Sequence, residues 1–134
     1  LLAEIWSPPP PAASSEAWAH FETYRRSPRL MAVVHAHPPC ALALDALGLL
    51  PGLRALGEGE AVGGSLTRIA ALPPGSRELG VACGEALAAH GAAVMARHGV
   101  IAGGPTVELA TWRVEVVELL ARIGLAAEGD ARRA

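Results

Sequence analysis

Proline and glycine punctuate this chain so regularly that they constrain its fold more than any other feature. Pro28 and Pro38 bracket Leu30 to Ala36, a short run of apolar and β-branched residues that reads as a buried strand. Ahead of it, Ser14 and Ser15 offer N-cap hydroxyls to a helix in which Trp18, Phe21 and Tyr24 recur at roughly helical spacing until Ser27-Pro28 ends it. Cys40 to Leu50 reads as a second helix and Ser65 to Leu72 as a strand. Pro73-Pro74-Gly75 then turns into a helix capped by Ser76, with Glu78 in its first turn and Gly91 just beyond its end. Ala92 to Arg97 and Val100 to Ala102 read as short strands flanking His98-Gly99, and Gly103-Gly104-Pro105-Thr106 turns into a last helix running to about Ile123. Strands interleaved with helices predict a layered α/β domain; periodicity leaves parallel and antiparallel pairing open.

A chain of 134 residues can build one domain with a real core and is too short for two. With 51% hydrophobic and 18% charged residues and a formal net charge of -2, it is neither a disordered chain nor one with a basic face for nucleic acid. Histidine, proline, aspartate or arginine interrupts each apolar stretch before the ~18 residues a membrane span needs. Cys40 and Cys83 fit no C-x-x-C spacing and read as two reduced thiols in a cytoplasmic protein. All 11 basic side chains are arginine, which excludes a Schiff-base or P-loop lysine within these residues. Leu1 to Ala13, with Pro8 to Pro11 in polyproline geometry, reads as an extended lead-in. It starts without an initiator methionine or signal sequence, so a missing upstream segment is expected. Gly57 to Gly64, with four glycines and two glutamates, reads as a mobile loop.

The candidate chemistry lies in histidines. Strand alternation sends His35 and His37 to one side, the geometry two imidazoles need to share a metal. His98 is the natural third ligand, since Gly99 permits a tight turn after it and the preceding strand could neighbour the first. Three histidines with an open position form a catalytic rather than a structural zinc site. An H-x-H pair is weak by itself: His37 before Pro38-Pro39 could equally end a strand, and His98 could be a core histidine. His20 and His90 read as ordinary. Glu16 opens the first helix, where free N–H groups and the hydroxyls of Ser14 and Ser15 favour an anion such as phosphate, or simply make a capped helix with an acidic first turn.

Taken together, Ser14-Ser15-Glu16, His35-Ala36-His37-Pro38 and Arg97-His98-Gly99-Val100 followed by Thr106-Val107-Glu108 resemble the class II aldolase/adducin family from about Ser14 to about Ala127. The resemblance implies a three-layer α/β/α fold around a mixed, largely antiparallel sheet. It implies one zinc ion on His35, His37 and His98, with Glu16 as the catalytic acid/base and Ser14 and Ser15 on the substrate phosphate. The implied reaction is retro-aldol cleavage of a small phosphorylated sugar through an enediolate stabilised by the metal, which needs no lysine. It also implies a cytoplasmic homotetramer with its active site at a subunit interface. Glu at position 16, where epimerases of the family tend to carry Asp, leans toward an aldolase or a dehydratase. A 4-epimerase, a dehydratase and a non-catalytic adducin-like module are the other readings. The chain departs from the pattern in two respects. The family's opening helix and its Gly-Asn and Thr/Ser-Gly phosphate segments are absent, and no tyrosine lies near Arg54, Tyr24 being the only one.

Overall fold

The computed structural model describes residues 8–10, 13–52, 57, 59 and 66–131. Helix α1 is Ala17–Arg26, strand β1 Ala32–Ala36, helix α2 Pro39–Ala46, strand β2 Leu66–Ile69 and helix α3 Arg77–Ala89; strands β3, Ala92–Met95, and β4, Gly99–Gly104, lead into helix α4, Val107–Ala131. The four strands form one sheet in the order β1-β4-β3-β2, antiparallel at β1/β4 and β4/β3 and parallel at β3/β2. The sheet is therefore mixed and largely antiparallel, as the family resemblance implies.

Side-chain alternation splits the core into two layers. On one face Ala92, Val94, Val100 and Ala102 pack against Ala41 and Leu44 of α2 and Val117, Leu120 and Ala121 of α4. On the other, Val33, Ala93, Met95 and Ile101 pack against Ala19 of α1 and Leu79, Cys83 and Leu87 of α3. Two helical layers enclosing a sheet make the fold α/β/α. Helices α1 and α3 lie with their backbones almost touching. A Cβ at Gly80 would fall 2.7 Å from the Trp18 carbonyl, and one at Gly84 2.7 Å from the Glu22 carbonyl. The same pairing brings their N-termini together, where Gly75, at a φ of +74°, abuts Ser15.

Several boundaries differ from the sequence expectation for local reasons. Glu16, not a serine, is the N-cap residue of α1, and its side chain makes no capping bond; Ser14 Oγ instead accepts the Glu16 N–H at 3.3 Å. Helix α2 stops at Ala46, where Gly48 turns the chain with a φ of +75°. Its N-terminus is capped from a distance, because the Glu118 carboxylate of α4 accepts the N–H groups of Cys40 at 3.0 Å and Ala41 at 2.9 Å. Gly103 and Gly104, read as a turn, complete β4. Helix α4 passes Ile123 and continues to Ala131, with Gly124 against Leu44. Ser76 caps α3 as expected, accepting the Leu79 N–H at 3.1 Å. Of the expected lead-in, residues 1–7, 11 and 12 lie outside the described residues, and the Ala13 N–H closes a turn onto the Pro10 carbonyl at 2.9 Å. The expected loop 57–64 also lies outside them, apart from Gly57 and Gly59. Among the described residues no helix is long and apolar enough to cross a membrane.

Candidate metal centre

The β1/β4 register aligns His35 with Ile101 and Ala36 with Val100, so the β3–β4 turn sets His98 beside the end of β1. His35, His37 and His98 gather there, each offering a ring nitrogen within 4.8 Å of the others. His35 Nε2 lies 3.0 Å from His37 Nε2, and the His98 ring packs 4.9 Å from that of His35 and 5.5 Å from that of His37, centroid to centroid.

Five features fit a divalent metal. A tetrahedral zinc ion with Zn–N bonds of ~2.0–2.1 Å sets its nitrogens about 3.3 Å apart, close to the observed pair. His35 Nδ1 lies 3.0 Å from the Val100 carbonyl; a proton donated there leaves the Nε2 lone pair free to bind a metal, the outer bond that ligating histidines usually make. Burial, partly opposed by that bond, pushes His35 below its ordinary pKa and keeps it in the neutral form a ligand needs. His98 Nδ1 is buried without a hydrogen-bond partner. Gly99 keeps the space open, since a Cβ there would lie 2.8 Å from His37 Cδ2 and 2.9 Å from His35 Cε1.

Glu16 enters from α1, on the face of the sheet that carries His35. Its Oε1 stands 3.6 Å from His98 Nε2, and the two side chains are 15% and 18% exposed. Ser14 and Ser15 precede it at the wall of a cleft of about 370 Å³ shared with Trp18 and Gly75. Both serines are exposed. A second cleft of about 710 Å³ opens on the other side of His37, between Pro38, Cys40 and the α4 residues Glu118, Leu119 and Arg122. Tyr24 packs into the α1/α3 layer. His20 is half-buried, and desolvation, partly opposed by the Glu16 charge, lowers its pKa. The Cys83 thiol is pushed up to about 12, mainly by burial and further by the Glu16 charge, so it is an inert core group.

Sequence reasoning missed three buried or capping carboxylates. Glu22, 1% exposed, is clamped by Arg25 at 2.8 Å and by Arg26. Asp45, 4% exposed, accepts from Arg68 Nε at 2.5 Å and from the Arg97 backbone N–H at 2.8 Å. Glu118 caps α2. Each sits in a helix where an acid looks like an ordinary surface residue.

Fold and site together define an α/β/α protein with three histidines that could hold a metal beside a carboxylate. The chain belongs to the class II aldolase and adducin family, whose N-terminal domain model matches residues 3–125. Among solved structures it is similar to L-fuculose-1-phosphate aldolase from Thermus thermophilus, with a TM-score of 0.84 and 28% identity over 97% of this chain and 69% of that one. A sugar-phosphate aldolase from Thermotoga maritima matches with a TM-score of 0.78 and 30% identity over 86% of this chain and 54% of its own. YgbL from Klebsiella pneumoniae, whose description leaves aldolase, epimerase and decarboxylase open, matches with a TM-score of 0.70 and 28% identity, over 82% of this chain and 55% of its own. This chain thus spans little more than half of the second and third. No curated protein matches it by sequence. Class II aldolases are metal-dependent, and the three histidines form a group suited to a metal.

Proposed function

We propose that this chain is a zinc-dependent lyase that cleaves a carbon–carbon bond in a small phosphorylated ketose. The observation that carries the reading is the convergence of His35, His37 and His98 with Glu16 at one end of the sheet. Neutral nitrogen ligands with a position left for substrate suit zinc. When bound, the ion supplies Lewis acidity, lowering the cost of negative charge on a substrate carbonyl oxygen beside it.

The chain's own residues do the rest. His35, held by the Val100 carbonyl, and His37 present their Nε2 atoms from one strand end, while His98 closes the triangle. Glu16 holds or releases a proton at the carbon that loses its partner as the bond breaks, as a general acid/base must. The Ser14 and Ser15 hydroxyls, at the start of α1, bind the substrate phosphate, where the helix dipole favours an anion. The solved relatives named for sugar phosphates support that substrate class. Epimerase or dehydratase chemistry would use the same parts and differs in product. The reading further includes cytoplasmic sugar catabolism and a homotetramer with the site completed at a subunit interface.

The test is metal content per purified chain beside a His98→Ala variant. About one zinc per chain, lost in the variant, supports the site and directs a screen of phosphorylated ketoses with product analysis. A wild-type chain that takes up no metal from zinc at neutral pH would sink the mechanism and favour a non-catalytic, adducin-like role.

A further inference from the structure

The turn that carries His98 is bent through a residue that resists the bend. Arg97 has a φ of +57° and is the only non-glycine residue with positive φ among the described residues. Left-handed backbone crowds the Cβ of an L-residue, and Asn, Asp or Gly would take it more readily. The Arg97 side chain is exposed, so packing around it does not impose the bend. Its backbone N–H is the anchored group, donating to Asp45 Oδ2 at 2.8 Å.

Asp45 is built to hold that amide. Its carboxylate is buried, and its other oxygen accepts from Arg68 Nε at 2.5 Å, so rotating away would strand a buried charge and break two bonds at once. Asp45 lies in the last turn of α2, the helix that begins two residues after His37. It therefore ties the segment bearing His35 and His37 to the segment bearing His98.

We propose that Asp45 is a positioning residue for the metal centre, its carboxylate holding the left-handed Arg97 backbone that aims His98 at the other two histidines. The proposal rests on the three-histidine reading above. Asp45 touches neither metal nor substrate; it acts through the Arg97 amide.

The test measures zinc affinity of the full chain by competition with a chromophoric chelator, together with the visible spectrum of the cobalt-substituted protein and thermal unfolding. Asp45→Ala, which removes the acceptor of the Arg97 N–H, is expected to weaken zinc binding ~10–100-fold, as loss of a group that orients a ligand does, and to alter the cobalt spectrum. Combining it with Arg97→Gly is expected to recover most of that affinity, because glycine takes a φ of +57° without a Cβ penalty. The Asp45–Arg68 ion pair stays broken in the double variant, so recovery separates positioning from general stability. Equal zinc binding by Asp45→Ala and wild type, or a double variant as weak as Asp45→Ala, overturns the proposal. If Asp45→Ala does not fold, Arg97→Val decides: it leaves Asp45 and Arg68 intact but puts a β-branched residue at positive φ. Weakened zinc binding is then expected, and unchanged binding overturns the proposal. Failure of the wild type itself to bind zinc is a different outcome, which removes the three-histidine reading and this inference with it.

Discussion

Gly99→Ala is the smallest change that should damage the metal centre without removing a ligand. A Cβ on Gly99 would lie 2.8 Å from His37 Cδ2 and 2.9 Å from His35 Cε1, and closer still to the Ala36 carbonyl oxygen. The carbonyl belongs to β1, whose register with β4 pairs Ala36 with Val100, so it cannot retreat without opening the β1/β4 edge. Forcing a methyl into such a place costs about 1–3 kcal/mol. The backbone clash argues for the upper half of that range. For a chain of this size each kcal/mol lowers the Tm by roughly 3–5 °C, so the metal-free protein should melt about 6–15 °C lower. Two of the three displaced atoms belong to ligand rings, so zinc affinity should also fall, by about tenfold for each ~1.4 kcal/mol of strain relieved only by moving them. Differential scanning calorimetry of metal-free protein and a chelator competition titration measure the two effects separately. A variant that matches the wild type in both would refute the claim that Gly99 keeps this space open for the imidazoles.

The remaining predictions concern supports around the centre. Burial alone would raise the Glu22 pKa, but hydrogen bonds and charge from Arg25 and Arg26 outweigh it and hold it below 4.5. Stability from Glu22 is therefore complete above the unfolded value of ~4.3 and is lost as pH falls through the lower folded value. Glu22→Gln should be ~1–3 kcal/mol less stable at pH 7, a range already reduced because both arginines are partly exposed. Urea unfolding from pH 7 to pH 3 should show the gap closing below about pH 4.5; a gap constant with pH would contradict the clamp. Gly80→Ala places a Cβ 2.7 Å from the Trp18 carbonyl and should cost ~1–3 kcal/mol by pushing α1 off α3. Because α1 carries Glu16 but none of the three candidate ligands, turnover should fall while zinc affinity holds; loss of zinc would mean that the layers are not separable in this way. The Cys40 thiol is pushed up first by its hydrogen bond to Glu118, then by burial and by the Glu118 charge. Glu118→Gln should thus increase the thiolate fraction and speed alkylation of Cys40 by iodoacetamide at pH 8, and an unchanged rate would remove Glu118 as the cause.

The sequence carried most of the architecture, because its punctuation is local. Pro28, Pro38 and Pro73-Pro74-Gly75 separate β1, α2 and α3 close to where the structure does. The misreadings came where a small residue serves packing. Gly103 and Gly104 looked like a turn, yet they continue β4 because a Cβ at either would press on Leu30 at 3.0 Å or on the Ala110 amide at 3.1 Å. The expected end of the last helix at about Ile123 falls short, since α4 continues through Gly124 to Ala131. The histidine group was half legible: alternation pairs His35 with His37, but only the β1/β4 register brings His98 to them. At the sequence level His98 rested on the family resemblance as much as on Gly99. Asp45 and Glu118 left no signal, because their partners lie 23 and 78 residues away for the Arg68 and Cys40 bonds. Nor did the left-handed Arg97, which offers neither glycine nor asparagine to mark the bend.

These supports divide the site between the two helical layers. Glu16 arrives with α1, which depends on the close crossing with α3 at Gly80 and Gly84. His37 and His98 lean on the opposite layer: α2 follows His37 directly, Glu118 of α4 holds its first turn, and Asp45 in its last turn holds the amide beside His98, while His35 is held within the sheet by the Val100 carbonyl. The Glu16 carboxylate and the three histidines thus rest on different supports, which meet at 3.6 Å between Glu16 Oε1 and His98 Nε2. On the proposed mechanism, substitutions in α1 and α3 would then change proton transfer at Glu16, while those in α2 and α4 would change metal binding.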